Sequence, residues 1–254
     1  MLRRPVCGVL ELLATHGFLS TRHVQSFAFM DHSATTAERL SRRVMSRLQR
    51  SGLVITLTRR VDGVRAGSSA TIWQLSSAGR RLVAGDRKRP HEPSPRLLAH
   101  RLLAADVHLV IRKLVLDDTV EDVAVEVESE AWRRYSGLGG DLRLLRPDLA
   151  ATVSGHDDDG AFEDRWFVEV DCGTESLPTI VRKCRQYEEY RQAGVEAVRH
   201  GIFPRVLWVL SGPRSDHRAA TLEARLGASN LPRGMFTVTT ASALEPATFV
   251  GGTS

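Results

Sequence analysis

The most constraining stretch of this chain is Trp166-Phe167-Val168-Glu169-Val170-Asp171. A run this apolar, bounded by charged residues, reads as a buried strand of a sheet covered on both faces. Side chains alternate along a strand, so Glu169 and Asp171 share one face of its end. Two neighbouring carboxylates at a strand end repel one another, which a cation relieves and water screens. The segments that follow carry a helical period over "LPTIVRKCRQYEEYRQA", then an apolar strand, "RVLWVL". A second helix, "DHRAATLEARLG", and a last strand, "MFTVTT", complete the run. Upstream lie a long helix, "RLLAHRLLAADVHLVIRKLVL", and two further strands, "VEDVAVEVESE" and "RPDLAATV". The expected order is helix, three strands, helix, strand, helix, strand. The three consecutive strands suggest an antiparallel meander, and the crossover a parallel pair. The segment "SGHDDDGAFED", 154–164, reads as a solvated hairpin loop rather than a metal site, because Asp and Gly are ordinary turn formers. Trp166, Phe167 and Trp208 sit in strand runs and read as core.

The first third has a different character. Residues 1–90 hold 16 Arg and Lys against 5 Asp and Glu, whereas 91–254 hold 19 against 25. A basic module joined to an acidic one points to a polyanion-binding part. Helical periods cover Pro5–Thr15, "TRHVQSFAF" after an N-cap at Ser20, and "TTAERLSRRVMSRLQRSG", where Thr35 and Glu38 have capping-box spacing. In the third helix Ala37, Leu40, Val44 and Leu48 form the expected inward stripe. Two strand-like runs around a Gly- and Ser-rich loop follow, then a short helix, "SAGRRLVAG". Three helices and a basic hairpin make a winged helix-turn-helix, whose third helix enters the major groove. Arg39, Arg42, Arg43 and Arg47 on that helix, and Arg59, Arg60 and Arg65 in the wing, are the expected DNA contacts. The guanidinium fork suits phosphate and guanine edges alike.

Within the Pro-rich stretch 85–96, residues 89–96 read as the linker. The domains are then 1–88, winged helix, and 97–254, an α/β body. No run approaches membrane-spanning length. Cys7, Cys172 and Cys184 lack paired spacing, which fits reduced thiols in a cytosol. His100 and His108 lie on the long helix with no ligand partner at helical spacing, so packing is their expected role.

Asp148 begins one strand run and Glu169 ends the next. Were these strands neighbours, their carboxylates would meet on one face and take a divalent cation with oxygen preference. "RPD" followed by the strand end at Glu169 resembles the PD-(D/E)XK nuclease superfamily over roughly 96–240, a restriction-endonuclease-like mixed sheet flanked by helices. With the N-terminal winged helix, "WFVEVDCGTES" and "KCRQYEEY", the chain more narrowly resembles the replication-relaxation family of actinobacterial chromosomes, plasmids and mobile elements. The resemblance implies a DNA-binding protein in replication, transfer or maintenance of such an element. It implies Asp148 and Glu169 as catalytic residues and ligands of Mg²⁺, with Mn²⁺ as a substitute. Asp171 stands where the superfamily has a catalytic lysine. Either Asp171 is a further metal ligand, or Lys183 replaces the lysine from the following helix, as in some members of the superfamily. Lys183 and Tyr187 lie one turn apart on one face of that helix. Lys183 is one of three lysines against 32 arginines. An inactive form would bind DNA or replication and transfer proteins without chemistry. The alternative is a transcription regulator whose α/β body dimerises or senses a ligand, with a homodimer expected. Either protein would reside in the cytoplasm, at the nucleoid.

Overall fold

The computed structural model describes residues 4–57, 71–85, 89–137, 139–158 and 160–250. It is a mixed α+β structure that divides into two compact units, Met1–Leu109 and Val110–Ser254. The division falls within one helix.

The first unit runs α1 (Arg4–His16), β1 (Leu19–Ser20), α2 (Thr21–Ala28), α3 (Ala34–Arg50), β2 (Val54–Thr56), β3 (Ile72–Leu75) and α4 (Ser77–Val83). The strands form one antiparallel sheet in the order β1-β3-β2. This is the winged-helix arrangement. Residues 58–70, which hold Arg59, Arg60 and Arg65, lie outside the described residues. The core joins Val9, Leu10 and Leu13 of α1 to Val24 and Phe27 of α2, Met45 and Leu48 of α3, and Trp73 and Leu75 of β3.

Ser20 caps α2 as its sequence suggests, but the reciprocal partner is His23, not an acid. The Ser20 hydroxyl accepts the His23 amide at 3.2 Å, and His23 Nδ1 accepts the Ser20 amide at 3.1 Å. The expected capping box at Thr35 and Glu38 does not form. Helix α3 starts earlier, after Ser33, and Glu38 instead pairs with Arg42 one turn on. The buried stripe of α3 is Ala37, Ser41, Met45 and Leu48, with Leu40 and Val44 half-buried at its edge. Met45 joins the core with residues of α1 and α2, while Val44 packs against its edge. Gly52 ends the turn after α3 with φ of 65°, a conformation that favours glycine.

Helix α5 spans Pro95–Leu116. Its first half packs in the first unit: Leu98 and Leu102 lie with Phe18 and Ile72, and Ala105 joins the main core. His108 serves packing. Its ring meets Phe27 edge-on, the centroids 4.9 Å apart, and shares a 3.1 Å hydrogen bond with His16.

The second unit continues with β4 (Asp122–Val127), β5 (Arg133–Ser136), β6 (Leu142–Leu145), β7 (Leu149–Asp157), β8 (Gly160–Asp171), α6 (Leu177–Gln192), α7 (Val195–His200), β9 (Arg205–Leu210), α8 (Ser215–Gly227) and β10 (Phe236–Thr240). Its main sheet has the order β10-β9-β8-β7-β4. Strands β4, β7 and β8 are antiparallel, and β9 and β10 join in parallel across α6 and α8. Two expectations need correction. The three antiparallel strands are not a simple meander, because the hairpin β5–β6 is inserted between β4 and β7 as a separate two-stranded sheet. The stretch 154–164 is mostly strand: the β7–β8 ladder continues to Asp157 opposite Gly160. Those end residues are polar because the ladder projects into solvent, where His156 pairs with Glu121. Helix α7 lies between α6 and β9, in a stretch to which the sequence pattern assigned no element.

Alternation along β8 places Phe167, Glu169 and Asp171 on one face and Trp166, Val168 and Val170 on the other. Phe167 packs with Ile180, Cys184, Tyr187 and Tyr190 of α6 and with Trp208 of β9. Trp166 is buried too, its indole donating to the Phe249 carbonyl at 3.1 Å. Among the described residues no helix is long and apolar enough to cross a membrane.

His16 is 1% exposed, and burial, then His108, His23 and Arg101, push it down from 6.5 to about 3. The folded protein therefore binds fewer protons than the unfolded chain between these values. The stability this residue contributes is fully present above pH 6.5 and is lost as pH falls towards 3. The loss is at most about 1.4 kcal/mol per pH unit. Urea unfolding of the first unit is expected to weaken between pH 7 and pH 5 in the wild type, and to weaken less in His16→Gln. Parallel pH profiles would contradict this.

Candidate functional site

The site grows from a register. Pro147 has no amide hydrogen, so the β7 ladder cannot extend beyond it. Asp148, the next residue, donates its amide to the Val168 carbonyl at 3.1 Å, and its own carbonyl accepts the Glu128 amide at 3.0 Å. Leu149 faces Val168 in the ladder, which puts Asp148 opposite Glu169 one step on. Opposed residues of antiparallel strands project to the same face. Asp148 and Glu169 are thus brought together, as their order in the sequence suggests. Asp148 also anchors the strand end: its Oδ2 accepts the Val170 amide at 2.9 Å.

Glu169 is 1% exposed, which would be costly for a bare carboxylate. Helix α6 supplies the answer from two residues one turn apart. Lys183 pairs with Oε2, and the Tyr187 hydroxyl donates to Oε1 at 2.5 Å. Burial pushes the Glu169 carboxyl up to about 8; Lys183 opposes this, and Asp148 adds to it. For Lys183, burial alone favours loss of the proton, but Glu169 and Asp148 outweigh it and hold the ammonium above its ordinary range. Tyr187 is raised well above the ordinary phenol value by burial and by Glu169. The ammonium also sits 5.9 Å from the centre of the Trp208 ring.

Asp171, 2% exposed, is committed to other partners. Its Oδ1 accepts the amides of Thr174 and Glu175 at 3.0 and 3.1 Å, closing the turn that leads into α6. Its Oδ2 pairs with Arg218 of α8 at 2.5 Å, and Arg218 also donates to the Glu175 carbonyl at 2.8 Å. Gly173 makes this turn possible with φ of 77°. Ser176 then caps α6 through the Thr179 amide.

A divalent cation needs several free, converging oxygens. Here both Glu169 oxygens, both Asp171 oxygens and Oδ2 of Asp148 already have partners. Among the described residues no group of three or more His, Cys, Asp or Glu is arranged to hold a metal ion. As arranged, the donor set does not fit a Mg²⁺ centre. Lys183, its side chain 29% exposed, is engaged in a part-buried ion pair with Glu169.

In the first unit, Arg39, Arg42, Arg43, Arg47 and Arg50 are all exposed along α3, opposite its buried stripe. Arg42 pairs with Glu38 on the same surface. Sequence reasoning missed Arg218, since nothing local marks a residue 47 positions away as the partner of Asp171. It also missed Glu196, 3% exposed and bound by Arg133 and Tyr190.

A family model described as replication-relaxation matches residues 10–206. No curated protein and no solved structure matches the chain.

Replacing Arg218 with Met leaves the Asp171 charge buried without its partner. The expected cost is about 3–5 kcal/mol, read as a lowered urea midpoint of the second unit. Arg218→Lys is expected to recover part of it. A loss below about 1 kcal/mol, the level of an exposed pair, would show that Asp171 does not depend on α8.

Proposed function

Because the chain belongs to the replication-relaxation family, we propose that it is a DNA-binding protein acting in replication, transfer or maintenance of a plasmid or mobile element, with a nuclease-like second unit that has exchanged metal chemistry for structural support. The observation that carries the DNA-binding part is the α3 surface. Five arginines are exposed on one helix whose other side is buried. It is the helix a winged fold offers to the major groove, in the part of the chain with a net excess of 11 basic residues. Most of such contacts go to phosphates, which position the protein without reading sequence. On this reading the protein works at the nucleoid, and its partners are DNA and the proteins of replication or transfer.

The second part rests on Glu169. In a working metal site its carboxylate would face the ion; here it faces Lys183 and Tyr187. Asp171, which stands where the superfamily has its catalytic lysine, is held by Arg218. Asp148, Glu169 and Lys183 then act as the girder of the sheet, not as ligands and base of a hydrolysis.

Two measurements test these parts separately. For duplex DNA, fluorescence anisotropy across a salt series is expected to show weaker binding by Arg43→Ala/Arg47→Ala. The log–log salt slope should fall by nearly 2, about 0.9 per lost phosphate contact. Unchanged affinity and slope would exclude α3 as the contact surface. Supercoiled plasmid with Mg²⁺ or Mn²⁺ is expected to stay intact. Cleavage that disappears in Asp148→Ala or Glu169→Ala would overturn the non-catalytic reading and make those residues ligands.

A further inference from the structure

The second unit contains a cavity of about 740 Å³ that the reading above does not use. This lies within the range of about 300–1,000 Å³ typical of small-molecule sites. The sheet register explains why it exists. On the face that carries the Asp148–Glu169 row, the next two rows are Glu126–Ala150–Phe167 and Ala124–Thr152–Arg165. Small side chains at Ala124, Ala150 and Thr152 leave the sheet surface low. Helix α6 ends at Gln192, and α7 contributes Glu196, Arg199 and His200 to the lining.

The floor holds a fixed planar cation. The Arg133 guanidinium lies 5.5 Å from the centre of the Phe167 ring. It bonds Glu196 at 3.1 Å and Glu126 at 2.5 Å, and Glu196 is itself held by the Tyr190 hydroxyl at 2.5 Å. A guanidinium held beside a ring by two carboxylates offers a platform on which a planar heterocycle can stack. The rest of the lining adds further charged groups. Arg134 and Arg199 are exposed and pair with no carboxylate among the described residues, while Glu130 is the corresponding unpaired acid. Trp132, 37% exposed, also lines the cavity, with the Arg146 guanidinium 5.0 Å from its ring centre. Together these features suit a ligand with a flat ring at one end and an anion at the other.

We propose that this cavity binds a nucleoside phosphate, with the base against the Arg133–Phe167 floor and the phosphate on Arg134 and Arg199. The source is a free nucleotide or an unstacked nucleotide of a single strand, which present the same chemistry. Every residue involved belongs to the second unit, so the site stands independently of DNA binding by α3.

The test uses the full chain, titrated with AMP, ATP and a single-stranded oligonucleotide of about eight residues, within the footprint of a small binding fold. Calorimetry gives affinity, and tryptophan fluorescence reports on Trp132, since Trp73, Trp166 and Trp208 are buried. Saturable nucleotide binding that quenches fluorescence, and that weakens at least tenfold in Arg134→Ala/Arg199→Ala, supports the site with a free ligand. Trp132→Phe should lose the quenching and keep most of the calorimetric affinity. Binding of the oligonucleotide alone, weakened tenfold by the same pair of substitutions, supports it with a strand as the source. Both arginines are exposed, so an unchanged circular dichroism melt is expected of the variant. Absence of binding by all three probes overturns the proposal. So does binding that ignores Arg134 and Arg199; if it is lost in Arg43→Ala/Arg47→Ala, the cavity fails while the α3 reading stands.

Discussion

The second unit depends on how it handles one buried charge. Glu169 lies at the centre of the main sheet, opposite Asp148 and beside Trp208, with almost no access to water. Left alone, it would take a proton or pull the strand end apart. Lys183 and Tyr187 oppose both, and because they sit one turn apart on α6, the same contacts fix the rotation of that helix on the sheet. The ring of Tyr187 then packs against Phe167, and Ile180, Cys184 and Tyr190 follow on the same side of α6. A polar contact of this kind sets register more than it adds stability, since its Coulomb gain is largely offset by desolvation.

Asp171 extends the same logic to the next helix. Its two oxygens divide between the turn before α6 and Arg218 of α8. Two acids at one strand end thus tie two different helices to the sheet. Such an arrangement has the parts of a metal site and a different distribution of partners. The first unit solves a separate problem, that of keeping many cations together. Helix α3 puts its apolar residues on one side and its arginines on the other, where water and salt screen their repulsion.

Much of this was legible in the chain. The β8 run and the α6 period needed only local patterns, and the four-residue spacing of Lys183 and Tyr187 already put them on one face. The pairing of Asp148 with Glu169 followed from strand order, because a short connection makes neighbours antiparallel. Other features were hidden for physical reasons. The strands Arg133–Ser136 and Leu142–Leu145 lack clean alternation, since Tyr135 and Leu145 alone turn to the core while the rest meets solvent. The stretch from Ser154 to Asp164 has the composition of a loop because its ladder extends beyond the core. The partner of Asp171 comes from α8, and no local pattern encodes a contact made by tertiary packing.

The central claim is that Glu169 and Lys183 form a coupled structural pair. A double-mutant cycle with Glu169→Leu and Lys183→Met, read by urea unfolding of the second unit, tests it most directly. Each single substitution strands the charged partner it leaves, so the double variant is expected to be more stable than the sum of the two losses allows, with a coupling of about 1–3 kcal/mol. Losses that simply add would mean that the two side chains do not support each other, and the account of the second unit would fall with them.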